Sequence, residues 1–242
     1  MAAVHVYGGV GGDGPSAQHA QTMDRVYRLQ RHIYDATRKF FLFGRDTLLH
    51  RMALRDGDRV LELGCGTARN LLMLAGRPSR PRLFGLDASR EMLQTARASV
   101  AKRGLQDRIV LREGLAEQVR TQRPFGDVLL FDHVVFSYTL SMIPPWREAV
   151  EEGWRLLAPG GTLHVVDFWD QAGFPAWFQR LLRWWLGLFH VAPNPELVAH
   201  LQALAAREGA RCTLRPLIGR YALCATITRA DGRERAGALG RA

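Results

Sequence analysis

The sequence predicts an α/β fold: a mostly parallel, doubly wound sheet flanked by helices and closed by an antiparallel hairpin. Three observations lead there. From Arg59 onward, short apolar runs alternate with segments of helical spacing. The first run passes straight into a glycine turn, Gly64-Cys65-Gly66. Near the C-terminus, the runs 212–218 and 221–228 flank Gly219-Arg220 and read as a hairpin. A chain of 242 residues, 47% hydrophobic, can bury the core of one such domain.

Residues 1–21 carry Gly11, Gly12, Gly14 and Pro15 without periodicity and read as a disordered tail. Ordered texture starts at Met23, a candidate biological start. Val26, Leu29, Ile33, Phe40 and Phe41 recur at helical spacing and predict an N-terminal helical cap over 22–43. A short helix over 45–54 follows. Val60–Leu63 is the first strand, with a helix continuing over Asn70–Ala75. Arg82–Leu86 is the second strand. Ser89 has the chemistry of an N-cap for a helix over 90–103. The third and fourth strands are 108–111 and 128–136. A helix over 145–157 is stopped by Pro159-Gly160-Gly161, and 162–168 is the fifth strand. Helices are expected over 175–189 and 195–208, the first within a helical insertion at 172–192. Five parallel strands and the hairpin make a seven-stranded sheet within a domain spanning 22–230, followed by a flexible tail at 231–242.

The formal charge is +10 with a pI near 10.5, almost all of it arginine. Such a balance suits an anionic membrane surface or reflects compositional bias. No basic run has the length of a nucleic-acid arm, and no specific nucleic-acid partner is expected. Cys65, Cys212 and Cys224 stand singly, which predicts reduced thiols and no metal site. No stretch is apolar for the ~20 residues of a membrane span. The expectation is a cytoplasmic protein, peripheral at the inner face of the membrane.

The chemistry centres on Leu61-Glu62-Leu63-Gly64-Cys65-Gly66-Thr67-Ala68-Arg69-Asn70. Glycines there let the backbone turn sharply and let a ligand approach the main chain. About twenty residues on, Gly85-Leu86-Asp87-Ala88-Ser89 ends the second strand with an acid that can accept ribose hydroxyls. A dinucleotide fingerprint requires a third glycine where Arg69 stands. Glu62 before the turn suits a cationic ligand better than a diphosphate.

Glycine turn, preceding acid, second acid and closing hairpin together resemble the class I S-adenosylmethionine-dependent methyltransferases, over about residues 55–230. The resemblance implies a Rossmann-like fold and S-adenosylmethionine as cofactor. It implies that Gly64, Cys65 and Gly66 line the methionine part, with Glu62 orienting the loop. Asp87 would hold the ribose, with Ala88 beside it. The family often has a Gly-Asp pair after the third strand; here Gly114-Leu115-Ala116-Glu117 lacks that acid, leaving Leu115 and Ala116 to pack on adenine. Ser137 completes the implied cofactor set.

Three further segments resemble the bacterial betaine-lipid N-methyltransferases that act on diacylglyceryl-homoserine. They are Tyr27–Asp46, Ser137–Pro144 and Leu163–Phe168. This resemblance implies an amino-lipid substrate and successive N-methylations to diacylglyceryl-trimethylhomoserine. A quinone-ring or other small-molecule methyltransferase is the alternative, and a non-catalytic cofactor-binding partner a third. Tyr34, Tyr138 and Asp167 are the candidate catalytic residues, since a developing ammonium favours aromatic faces and an amine must lose a proton. Each has a plain packing or capping role as its rival. His164 reads as a core histidine, and His190, Arg38 and Arg45 are weaker candidates. Trp177, Phe178, Leu181, Leu182, Trp184 and Trp185, interrupted by Arg180 and Arg183, have the composition of a helix at a membrane interface. Adjacent Trp184 and Trp185 cannot share one narrow face, so at least one should meet something other than the core.

Overall fold

The computed structural model describes residues 42–187 and 193–231. Tyr34, Arg38, His190, the N-terminal tail, the C-terminal tail beyond Asp231 and all but the end of the expected N-terminal cap lie outside those residues. In chain order the elements are α1 (Arg45–Arg51), β1 (Arg59–Leu63), α2 (Arg69–Ala75), β2 (Arg82–Asp87), α3 (Arg90–Lys102), β3 (Ile109–Glu113) and α4 (Val119–Gln122). Then come β4 (Phe131–Ser137), α5 (Trp146–Arg155), β5 (Leu157–Phe168), α6 (Ala176–Gly187), α7 (Leu197–Glu208), β6 (Arg211–Leu217) and β7 (Ala222–Thr228). One seven-stranded sheet has the order β3-β2-β1-β4-β5-β7-β6. All pairs are parallel except β5–β7 and β7–β6, which are antiparallel.

Side chains alternate across the sheet with period two. Val60, Leu83, Val135 and Val166 pack with α1, α2, α3 and α6, while Leu61, Phe84, Val134 and Val165 pack with α5 and α7. Both faces are therefore covered, which is why the central strands read as continuous apolar runs. Ser89 caps α3 as expected, its hydroxyl accepting the Met92 N–H at 3.3 Å.

Four elements differ most from the sequence reading: α1 ends at Arg51, not 54, and β4 begins at Phe131, not 128. β5 begins at Leu157, not 162: Leu157 pairs with Phe131 across a register shift, and Gly160 at φ +76° lets the irregular start carry Pro159. The short α4 was not foreseen. It is held by buried Glu152 of α5, which accepts the Arg120 backbone N–H at 2.6 Å and its Nε at 3.0 Å. Four residues with such long-range support leave no local signal.

Candidate active site

The strand order reverses between β1 and β4, and ligands of doubly wound sheets bind outside the carboxyl ends of the strands at such a point. Five connections gather there: 64–68, 88–89, 114–118, 138–145 and 169–175.

The first loop is tied to the end of β2. The N–H groups of Gly64 and Cys65 both donate to the Leu86 carbonyl, at 2.8 and 2.9 Å. Gly64 and Gly66 have φ of +73° and +53°, conformations that disfavour a side chain. Asp87 completes the tie: one carboxylate oxygen accepts the Gly66 N–H at 2.7 Å, the other the Ser89 N–H at 2.9 Å. The carboxylate is only part-buried. Buried Glu62 accepts the Asn70 amide at 2.5 Å, clamping the loop from below. Arg69, standing where a dinucleotide site needs glycine, instead forks onto Asp46 of α1 at 2.7 and 3.1 Å.

Across the switch point, Ser137 ends β4 with a buried hydroxyl that has no hydrogen-bond partner among the described residues. Tyr138 follows at φ +56°, an uncommon conformation for a bulky residue. Its N–H donates to the Val166 carbonyl at 2.7 Å, its ring meets Phe168 edge-on, and its hydroxyl donates to the Phe43 carbonyl. Burial holds this phenol well above its ordinary range of ionisation. Tyr138 thus anchors the segment that leads into α1 and does not present its hydroxyl to an acceptor.

Thr139 bonds the Leu63 carbonyl at 3.2 Å and fills the space beside Gly64. Asp167, fully buried, accepts the N–H groups of Ser141 at 3.1 Å and Phe168 at 2.8 Å. Burial raises its carboxyl to about 6 against those bonds. It fixes the β4 loop from within the core. Half-buried Leu115 donates its N–H to the Gln122 side chain at 3.3 Å, and Ala116 packs toward the core beside α4. Ala88 is likewise half-buried, and Cys65 is buried.

The structure therefore brings Glu62, Gly64, Cys65, Gly66, Asp87, Ala88, Leu115, Ala116 and Ser137 to one end of the sheet. Sequence reasoning missed Thr139 and the role of Asn70. The tight Gly64 turn hinted that a neighbour would press on it, but nothing local says which.

Residues 60–161 match the family model of a methyltransferase domain. Over that stretch the chain is similar to methyltransferase domains. Its fold is that of the solved class I enzymes. An O-methyltransferase family protein from Burkholderia thailandensis superposes with a TM-score of 0.58 at 19% identity, over 90% of this chain and 61% of that one. Phosphoethanolamine N-methyltransferase 2 from Haemonchus contortus gives 0.63 at 13% identity, over 78% and 52%. A demethylmenaquinone methyltransferase from Thermus thermophilus is 32% identical over 140 residues, 56% of this chain and 60% of that protein. One from Anoxybacillus flavithermus is 33% identical over 153 residues, 62% and 58%. The chain spans about three fifths of the length of these curated relatives.

A solved methyltransferase of this fold, from Haemonchus contortus, holds S-adenosylmethionine, and the residues present here fit that cofactor. Glycine main chain, a part-buried carboxylate and the Ser137 hydroxyl, without a partner among the described residues, suit a nucleoside bearing cations and hydroxyls. A diphosphate fits worse, because acidic Glu62 lies under the loop and α2 opens with Arg69 turned away to Asp46.

Proposed function

We propose that the chain is an S-adenosylmethionine-dependent methyltransferase acting on the amino group of a membrane lipid, diacylglyceryl-homoserine, to form its trimethylated betaine. The observation that carries the methyl-transfer reading is the end of β2. There Asp87 grips the Gly66 and Ser89 N–H groups at the strand end where the resemblance implies a ribose. The resemblance of Tyr27–Asp46 to betaine-lipid enzymes supports the acceptor.

The cofactor supplies a methyl group made electrophilic by a sulfonium. The chain contributes placement. Gly64 and Gly66 open the main chain to the methionine part, Asp87 takes the ribose, and Leu115 and Ala116 flank the base. Asp167 and Tyr138 act as positioning residues: one holds Ser141, the other the segment at Phe43. Tyr34 is the aromatic candidate for the growing ammonium.

A second reading, ring methylation of a quinone, is favoured by the demethylmenaquinone methyltransferases among the relatives. Incubation with labelled cofactor separates the two, offering diacylglyceryl-homoserine and a demethylated quinone in detergent. Label in the lipid, with stepwise methylated masses, supports the first. Label in the quinone alone overturns it in favour of the second.

A further inference from the structure

Helix α6 has two apolar faces, and the fold uses one. Leu182 and Leu186 are buried, with Phe178 and Trp185 packed toward the same core. On the other side Trp177, Leu181 and Trp184 are 65%, 51% and 63% exposed. At 100° per residue these three fall within a sector about 60° wide. They form one continuous stripe. Adjacent Trp184 and Trp185 thus go to opposite environments, one outward and one to the core.

The surroundings say what covers the stripe. Arg180 and Arg183 lie along its flank, both exposed, each turning its Nε to a carbonyl of its own helix and neither meeting a carboxylate among the described residues. The helix sequence contains no acid. The apolar surface continues past the helix start: Phe174 packs on Phe178 and on Gly219, next to Ile218, which is 56% exposed. Tryptophan with leucine beside exposed arginines matches the headgroup layer of an anionic bilayer, where indoles sit at the interface and guanidiniums meet phosphates. A protein partner would offer carboxylates at fixed points. A bilayer offers a continuous apolar layer under a sheet of negative charge, matching a straight stripe with cations on its rim.

We infer that Trp177, Leu181 and Trp184 with Arg180 and Arg183 form a docking face for an anionic lipid bilayer. This goes beyond the proposed activity and does not depend on which acceptor is methylated. The test uses the full chain with vesicles of phosphatidylcholine alone and with added phosphatidylglycerol, read by co-sedimentation and tryptophan emission. The wild type should bind the anionic vesicles with a blue shift, and less in high salt. The double variant Trp177→Ala/Trp184→Ala should lose on the order of tenfold in partitioning. Arg180→Gln/Arg183→Gln should lose roughly tenfold or more on anionic vesicles, with little change on neutral ones. All these side chains face solvent, so cofactor binding by calorimetry should stay at the wild-type level. That readout reports on the methyltransferase reading separately. Wild-type partitioning by both variants overturns the inference. So does a concentration-dependent dimer that the tryptophan variant abolishes, because the face would then join two copies of the chain.

Discussion

Gly64 shows how narrowly one position is constrained. A Cβ there would stand 2.4 Å from Thr139 Cγ2 and 2.6 Å from its Oγ1, on a backbone at φ +73°. Gly64→Ala must strain the turn and displace the residue that joins the β4 loop to β1. It should cost about 1–2 kcal/mol in stability from the backbone conformation alone. Cofactor affinity should fall with it, measured by thermal unfolding and calorimetry. Asp87 makes a graded prediction. Asp87→Ala orphans the N–H groups of Gly66 and Ser89 and removes the proposed ribose acceptor, so affinity should drop by roughly ten- to a hundredfold. Asp87→Asn keeps one acceptor oxygen and should lose less. Equal affinity in all three proteins would remove Asp87 from the cofactor site.

Among the elements, most of the sheet was legible because each parallel strand is a short apolar run bounded by turn residues, and Gly219-Arg220 marks the closing hairpin. What escaped was set by distant partners: the start of β5 depends on Phe131, and α4 on Glu152. The site divides the same way. Glycines and a strand-end acid announce themselves in sequence, but the direction of a phenol does not. Tyr138 stands at the place expected for an acceptor contact and spends its hydroxyl on Phe43. Tyr138→Phe should therefore loosen the segment before α1, costing on the order of 1 kcal/mol. It should raise KM for the acceptor more than it lowers kcat. A collapse of kcat with unchanged KM would restore the phenol to the chemistry.

At the scale of the whole molecule, two buried groups set opposing responses to acid. His164 lies in the core beside His133, whose Nδ1 is 3.0 Å from its Nε2, and burial drives it from 6.5 to about 3. Unfolding lets it take up a proton, so its contribution is full above about 6.5 and shrinks as pH falls toward 3; from pH 7 to 5 this costs about 2 kcal/mol. Asp167 runs the other way. Its folded value, near 6, lies above the ordinary carboxylate range, so the native state binds the extra proton, and stability grows by about 1 kcal/mol over the same interval. The two responses oppose each other, on a background to which His133 and His200, both held below the ordinary histidine range by burial, add a further loss on acidification. Single substitutions unmask each half. Asp167→Asn should lose about 1 kcal/mol more than the wild type on acidification from pH 7 to 5. His164→Gln should lose about 2 kcal/mol less than the wild type over the same range. Since every other titrating group is shared, the difference between each variant's curve and the wild type isolates the substituted residue. Parallel curves for Asp167→Asn and wild type would mean that the carboxylate at the end of β5 is not held near 6, and the core around Ser141 would need a different account.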